Sequence, residues 1–139
     1  MVGQRGVVMV EDALRELDGF ASRDELLERR CWPEMIDLSL YYRRIVRVRR
    51  GWYALPSVDA RIVTALRVGG RLACVSALAF YSDAVDPGPV HVVVPYGASH
   101  LDRGDAIVHW TRRPIAGRLV VTPEAAAKQA RYCRARPTA

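Results

Sequence analysis

The chain has 139 residues, 50% of them hydrophobic, which is enough for one folded domain or for a small domain with an appended subdomain. Its net charge of +6 favours acidic partners, either nucleic acid or an anionic membrane surface. The sequence has no leader-like N-terminus and no apolar run of membrane-spanning length, so we expect a cytoplasmic protein with no membrane partner.

The positive charge is concentrated in one part of the chain. Residues 1–42 hold five arginines against nine acids, a local charge of −4. Residues 43–71 hold eight arginines against Asp59 alone, a local charge of +7. Five of these arginines lie within residues 43–50. Such a density suits the phosphate backbone of a nucleic acid better than other common partners.

Three helices are predicted in the first part of the chain, over residues 5–18, 22–30 and 33–43. Apolar residues recur at helical spacing in the first of these segments. In the second, Ser22 and Glu25 form a capping box, in which each side chain accepts a hydrogen bond from the backbone amide of the other. The third begins with a proline, which is well tolerated at the first helical position. We expect this third segment to be a recognition helix.

After the third helix the apolar pattern changes to a period of two, which is typical of a β-hairpin. A two-residue turn at residues 50–51 contains a glycine and closes the hairpin. This turn predicts that Val48 pairs with Tyr53 and that Arg49 pairs with Trp52. One face of the hairpin is then apolar and the other basic.

The order of two short helices and a basic hairpin predicts a winged helix-turn-helix. The third helix carries the acidic residues Glu34 and Asp37, where base-reading helices usually offer basic or amide side chains. We therefore expect binding led by the hairpin and by phosphate contacts. The predicted DNA-contacting residues are Ser39, Tyr41, Tyr42, Arg43, Arg44, Arg47, Arg49, Arg50 and Trp52.

The rest of the chain predicts a small mixed subdomain. Helical patterns and strand-like apolar runs alternate there, separated by turns that contain glycine or proline. The predicted elements are helices at 59–68, 76–81 and 123–132, strands at 90–95, 106–111 and 118–122, a break at 86–89 and a frayed basic tail at 134–139. The expected fold is α+β, with a winged helix-turn-helix domain at 1–57 and a helical connector plus a subdomain of about three strands at 58–139.

No catalytic residue, metal site or cofactor is predicted. Ser99, His100 and Asp102 lie close in sequence, but neighbouring residues on a turn rarely form a catalytic triad. His91 and His109 lie on neighbouring predicted strands and could meet His100 around a metal, although structural histidines are the favoured interpretation. The three cysteines are widely spaced without a Cys-x-x-Cys pair, which indicates neither a disulfide framework nor a zinc site.

Residues 22–56 resemble the N-terminal winged-helix domain of AbiEi-type antitoxins. The most specific match is the hairpin sequence Ile-Val-Arg-Val-Arg-Arg-Gly-Trp-Tyr-Ala-Leu at 45–55, whose apolar-basic alternation ends in Gly-x-Tyr. Segments 91–95, 98–101 and 108–111 resemble the central region of a wider group of actinobacterial proteins with the same head, so that the likeness spans about residues 5–125.

This resemblance implies a repressor that binds inverted repeats in its own promoter, with the remaining portion of the chain serving antitoxicity. It implies DNA contacts by the arginines of the hairpin region, Arg43, Arg44, Arg47, Arg49 and Arg50. Many long relatives continue into a nuclease-like domain, whereas this chain stops at residue 139. A short form of this kind is expected to be a regulator, including a repressor carried by a phage or prophage.

We therefore expect a double-stranded-DNA-binding transcriptional regulator, a repressor of antitoxin or phage-repressor type, that acts on an operator as a monomer or weak dimer. The alternative is a protein-interaction module, which would neutralise a toxin protein without sequence-specific DNA binding. An enzyme is not expected.

Overall fold

The computed structural model describes residues 3–85, 88–99 and 101–134. Within these residues the fold is mixed α+β, as predicted, with six helices and two three-stranded sheets. In chain order the elements are α1 (Gln4–Glu16), β1 (Phe20–Ser22), α2 (Arg23–Glu28), α3 (Pro33–Tyr41), β2 (Val46–Arg49), β3 (Trp52–Ala54), α4 (Ala60–Val68), β4 (Arg71–Leu72), α5 (Cys74–Tyr81), β5 (His91–Pro95), β6 (Ile107–Thr111) and α6 (Pro123–Tyr132).

The chain divides into two compact units, Met1–Val58 and Asp59–Ala139. The predicted domain boundary, between residues 57 and 58, falls one residue before this division. None of the helices in the described part of the chain is long and apolar enough to cross a lipid bilayer. Residues 86 and 87 of the predicted break and residues 135–139 of the predicted tail lie outside the described residues.

The helices of the first unit begin and end at local capping signals. The predicted capping box of α2 is confirmed, because Ser22 Oγ accepts from the Glu25 amide at 3.1 Å and Glu25 Oε1 accepts from the Ser22 amide at 2.8 Å. Helix α3 starts at a proline, as expected, but ends two residues earlier than predicted. Arg43 adopts a left-handed backbone with φ of 57°, and the Arg44 amide donates back to the carbonyl of Ser39, which closes the helix.

The sheet of the first unit has the strand order β1-β3-β2, with antiparallel pairing throughout. The predicted pairing of Arg49 with Trp52 is confirmed. The predicted pairing of Val48 with Tyr53 is wrong, because Arg47 lies opposite Tyr53 and Val48 is the extra residue of a β-bulge. The bulge leaves Val48 buried and Arg47 exposed. Strand β1 was not predicted, since three residues are too few to show a period of two.

A single apolar core lies between the helices and the sheet of the first unit. Burial of each large side chain in such a core contributes about 1.5–3 kcal/mol, so these residues decide the fold of the unit. The buried cluster comprises Val10, Ala13, Leu14, Ala21, Leu26, Cys31, Met35, Ile36, Ile45 and Tyr53.

The sheet of the second unit has the order β4-β5-β6, with β5 antiparallel to β4 and parallel to β6. The strands predicted at 90–95 and 106–111 are confirmed as β5 and β6. The strand predicted at 118–122 is wrong, because Val120 forms only an isolated bridge to Leu72. The Leu72 amide donates to the carbonyl of Leu119, and the Leu72 carbonyl accepts from the amide of Val121. Strand β4 has only two residues, so it is too short to extend this ladder.

The second unit contains the helices α4, α5 and α6. Helix α4 is capped by Asp59, whose side chain accepts from the Arg61 amide. Its predicted end at Gly69 is confirmed, and this glycine has the left-handed conformation. Helix α5 begins at Cys74, two residues before its predicted start, and α6 follows the capping side chain of Thr122. Helices α5 and α6 pack against each other.

Candidate functional site

The hairpin of β2 and β3 presents the densest basic surface of the first unit. Its turn consists of Arg50 and Gly51, and Gly51 has a positive φ of 82°, which glycine adopts without steric cost. Arg47 and Arg50 are exposed, whereas Arg49 and its cross-strand neighbour Trp52 are half-buried. The hairpin therefore offers the exposed guanidinium groups of Arg47 and Arg50. The side chains of Arg49 and Trp52 beside them are less exposed.

The C-terminal end of α3 adds exposed aromatic groups to this region of the chain. Tyr41 is 78% exposed and Tyr42 is 60% exposed, and their rings meet edge to face with centroids 5.1 Å apart. Arg43 follows directly and is also exposed. Two large exposed aromatic side chains next to an arginine are suited to stacking and to polar contact with a nucleic acid.

Ser39 does not belong to this surface. It is fully buried, and its hydroxyl donates to the carbonyl oxygen of Met35 at 2.8 Å. The prediction that Ser39 contacts a base edge is corrected, because helical periodicity places residue 39 on the core side of α3, whereas Asp37 and Tyr41 lie on the exposed side. The serine completes a hydrogen bond within the helix instead.

Arg44 is exposed, but it already has a protein partner. Its Nε donates to Glu11 Oε1 at 3.0 Å, and the Arg44 side chain remains 57% exposed while that of Glu11 is only 11% exposed. An ion pair of this kind contributes roughly 0.2–1 kcal/mol at an exposed site. Arg44 therefore connects α3 to α1 and has less positive charge available for an external phosphate than Arg43 or Arg47.

The first half of α3 is acidic on its exposed side. Glu34 and Asp37 both point to solvent. Their carboxylates repel phosphate groups, so this part of the helix is poorly suited to lie along a nucleic-acid backbone. The positive groups are instead the exposed arginines of the hairpin and the residue that follows α3.

The second unit brings together two cysteines and two histidines from four separate elements. Cys74 is the first residue of α5, His91 begins β5, His109 is the central residue of β6, and Cys133 follows the end of α6. Their ligating atoms all lie within 4.8 Å of one another. We call these four residues the Cys/His cluster.

The nitrogen and sulfur atoms of the Cys/His cluster are in close contact. His91 Nδ1 lies 3.1 Å from His109 Nε2, and Cys133 Sγ lies 3.8 Å and 3.7 Å from these two nitrogens. Cys74 and His91 are fully buried, whereas His109 and Cys133 are half-buried. Four side chains that commonly bind metals therefore converge at a largely enclosed point.

The sheet register explains how the two histidines meet. His91 pairs with Ile107 across the parallel strands, and His109 pairs with Val93. Paired residues of a parallel ladder share one face of the sheet, and residues two apart on a strand also share a face. Both imidazoles consequently project from the same side of β5 and β6.

Two hydrogen bonds fix the backbone around the Cys/His cluster. The His91 amide donates to Ser76 Oγ at 2.8 Å, which ties β5 to α5. The Cys74 amide donates to Gln129 Oε1 at 2.9 Å, which ties the start of α5 to α6. Cys74 itself has a left-handed backbone with φ of 56°, which is uncommon for a residue with a side chain.

The electrostatic environment favours an uncharged imidazole at His109. Burial lowers the pKa of His109 below its ordinary value of 6.5, and the neighbouring His91 lowers this pKa further. A neutral ring keeps a lone pair that can accept a hydrogen bond or bind a metal ion. The Cys/His cluster is thus chemically a nitrogen and sulfur donor set.

The sequence analysis considered His91 and His109 together around a metal but favoured structural histidines, and it did not connect them with Cys74 or Cys133. The sequence signal is a cysteine or histidine at each of four places: the start of α5, the start of β5, the middle of β6 and the residue after α6. These places can be recognised as neighbours only when the topology is known. Of the three residues considered as a catalytic triad, Ser99 and Asp102 are exposed, and His100 lies outside the described residues.

Comparison of the chain with models of protein families and with curated proteins found no match.

Proposed function

We propose that the protein is a double-stranded-DNA-binding transcriptional regulator whose first unit acts as a winged helix-turn-helix. In this proposal α2 and α3 are the helix-turn-helix and the hairpin of β2 and β3 is the wing. The observation that carries it is the set of exposed arginines at the hairpin and at the end of α3, namely Arg43, Arg47 and Arg50.

The distribution of charge favours binding led by the wing. Arg47 and Arg50 can each neutralise one phosphate and release condensed counterions, which supplies affinity without reading sequence. The acidic groups Glu34 and Asp37 weaken any approach by the first half of α3. The best-placed side chains for base contacts are Tyr41 and Tyr42, which are among the most exposed aromatic groups of the first unit.

The type of regulator rests on the resemblance to AbiEi-type antitoxins described above. It supports a repressor, of antitoxin or phage-repressor type, that acts on inverted repeats in an operator near its own gene. Each protein molecule would then occupy one half-site, as a monomer or a weak dimer.

The experiment that tests this function is a fluorescence anisotropy titration. Purified full-length protein is titrated into labelled DNA from upstream of its own gene and into a scrambled duplex, at several salt concentrations. We expect tighter binding to the native fragment and a fall in affinity with increasing salt, because phosphate contacts release counterions. Equal binding to both duplexes would contradict a specific operator, and no binding to either would contradict the DNA-binding proposal.

A second candidate function is a protein-interaction module, for example one that neutralises a toxin. It is favoured by an open cleft of about 490 Å³ between α1 and α3, which is lined by apolar groups including Val7, Val8 and Leu38. Val8 is 45% exposed and the adjacent Met9 is 41% exposed. Exposed apolar surface of this kind is typical of a protein contact. Tight, salt-tolerant binding to a purified protein, without retardation of DNA, would favour this candidate.

A further inference from the structure

We propose that the Cys/His cluster is a tetrahedral binding site for zinc, in which Cys74, His91, His109 and Cys133 are the four ligands. The site belongs entirely to the second unit. It does not depend on the DNA-binding proposal, which concerns the first unit.

The distances within the cluster fit a tetrahedral metal. Zinc lies about 2.0–2.1 Å from histidine nitrogen and about 2.3 Å from cysteine sulfur, so a regular tetrahedron separates two nitrogens by about 3.3 Å and a nitrogen from a sulfur by about 3.5 Å. The nitrogens of His91 and His109 are 3.1 Å apart, and Cys133 Sγ is 3.8 Å and 3.7 Å from them. The ligating atoms of His91, His109 and Cys133 are therefore within a few tenths of an ångström of the required spacing, and the Sγ of Cys74 lies within 4.8 Å of each of them.

The donor atoms select the class of metal. Two thiolates and two neutral imidazoles form a set that soft or borderline ions prefer, whereas calcium and magnesium require oxygen ligands. Zinc prefers such ligands, adopts tetrahedral geometry and commonly occupies Cys₂His₂ sites. Cys74 and Cys133 would bind as thiolates, and each releases its proton to solvent when the metal enters.

The number of ligands indicates a structural role for the metal. Four protein ligands complete the coordination of zinc, whereas catalytic sites keep a position for water or substrate. The ligands come from α5, β5, β6 and the residue after α6, so one ion would cross-link both helices to the sheet. This cross-link would fix the C-terminal end of α6, where Cys133 lies.

The experiment that tests the proposed zinc site uses the full chain. Protein produced with zinc in the medium is analysed for metal by mass spectrometry, and metal-free protein is titrated with Co²⁺ under reducing conditions. We expect about one zinc per chain and, with cobalt, the strong visible bands of a tetrahedral ion together with thiolate-to-cobalt charge transfer. Cys74→Ser or Cys133→Ser should remove stoichiometric binding, whereas Cys31→Ala, at a buried cysteine of the first unit, should keep it.

A ligand replacement keeps the proposal testable if the serine variants fail to fold. Cys133→His retains four potential ligands with one thiolate fewer, so the tetrahedral cobalt bands should persist while the thiolate charge transfer falls to about half. The proposal would be overturned by folded wild-type protein that takes up neither zinc nor cobalt in stoichiometric amounts. It would equally be overturned by an octahedral cobalt spectrum, or by a disulfide joining Cys74 and Cys133 in the protein as isolated.

Discussion

In the first unit the exposed arginines Arg43, Arg47 and Arg50 lie in one short stretch of chain and extend toward solvent. In the second unit the residues of the Cys/His cluster come from four places in the fold and face one another. The hairpin surface is held by the pairing of β2 with β3 and by the apolar core beneath it. The Cys/His cluster has no such continuity, because its members are spread from Cys74 to Cys133. In our proposals the first surface binds an external partner, whereas the Cys/His cluster binds a metal ion that stabilises its own unit.

Because of this difference, we expect substitutions in the two regions to affect different properties, DNA binding in the first and stability in the second. Changes on the hairpin should alter DNA affinity and its salt dependence with little effect on folding, since Arg47 and Arg50 are exposed. Changes in the Cys/His cluster should alter the stability of the second unit, since Cys74 and His91 are fully buried.

The largest effect is expected from removing the proposed metal. A ligand present at a thousandfold excess over its Kd stabilises the folded state by about 4 kcal/mol. For a unit of this size each kcal/mol shifts the Tm by roughly 4–8 °C, so a chelator should lower the Tm of the second unit by about 15–30 °C. Differential scanning calorimetry with and without chelator checks this, with Cys31→Ala as the control that should respond like the wild type.

If the chelator leaves every thermal transition unchanged, the contrast between a surface for binding and a cluster for stability fails. A loss of DNA binding on chelation, at a temperature where the first unit is still folded, would instead show that the two units are coupled.

The double variant Arg47→Ala/Arg50→Ala should weaken DNA binding to all sequences by roughly 30-fold at 0.15 M salt, because two phosphate contacts are lost. The plot of log affinity against log salt should become shallower by about two units. Arg112→Ala/Arg113→Ala is the matched control, since it removes the same charge from two exposed arginines of the second unit. An equal loss in both double variants would mean that net charge, and not the hairpin, controls binding.

Gln129→Leu should destabilise the second unit by about 1–3 kcal/mol, because the buried amide of Cys74 loses its acceptor. The cost should appear in metal-free protein as well, since the hydrogen bond does not involve the proposed metal. Urea unfolding followed by circular dichroism measures it, and Lys128→Leu at the neighbouring exposed position is the control. Equal midpoints for both variants would contradict a supporting role of Gln129.

Asp59→Ala should cost about 1 kcal/mol at pH 7 through loss of the N-cap of α4. Hydrogen bonding from Arg61 holds the pKa of Asp59 below its ordinary value of 3.8. A lowered pKa means that the contribution is fully present above this ordinary value and is lost as the pH falls through the lower folded-state pKa. The difference between the unfolding midpoints of wild type and variant should therefore be smaller at pH 3 than at pH 7. An equal difference at both pH values would contradict the carboxylate as its source.

The smallest effect is expected at Ser39. Ser39→Ala should leave DNA affinity unchanged and cost about 1 kcal/mol or less in stability, since its hydroxyl donates only within α3. Tyr41→Ala, on the exposed side of the same helix, should weaken DNA binding instead. Anisotropy titrations of the two variants distinguish the sides of α3, and a larger loss with Ser39→Ala would reverse the assignment.

Signals confined to a few neighbouring residues were readable from the sequence. The Ser22 and Glu25 capping box, the glycine that ends α4, and the hairpin turn all depend on local chemistry, and the structure contains each of them. Strands β5 and β6 were also found, since their apolar runs are long enough to be distinctive. The arginine surface could be predicted for the same reason, because its members are close in sequence.

The features that escaped prediction depend on residues far apart in the chain. The bulge at Val48 requires knowledge of which residue faces Tyr53. The apolar run that contains Val120 resembles a strand, but within the described residues it forms an isolated bridge, to Leu72 in a two-residue strand. The Cys/His cluster exists only because the parallel register of β5 and β6 aligns two histidines, which no spacing rule describes.

The bulge in the hairpin also bears on how the chain can change length during evolution. Val48 is the residue without its own position in the pairing of β2 with β3, so its deletion would leave Arg47 opposite Tyr53 and Arg49 opposite Trp52. An ordinary strand residue cannot be lost in this way, because every side chain beyond it would turn to the other face. We therefore expect loss of Val48 to keep the strand pairing, at the cost of one buried side chain, and to change the angle at which the arginines leave the sheet.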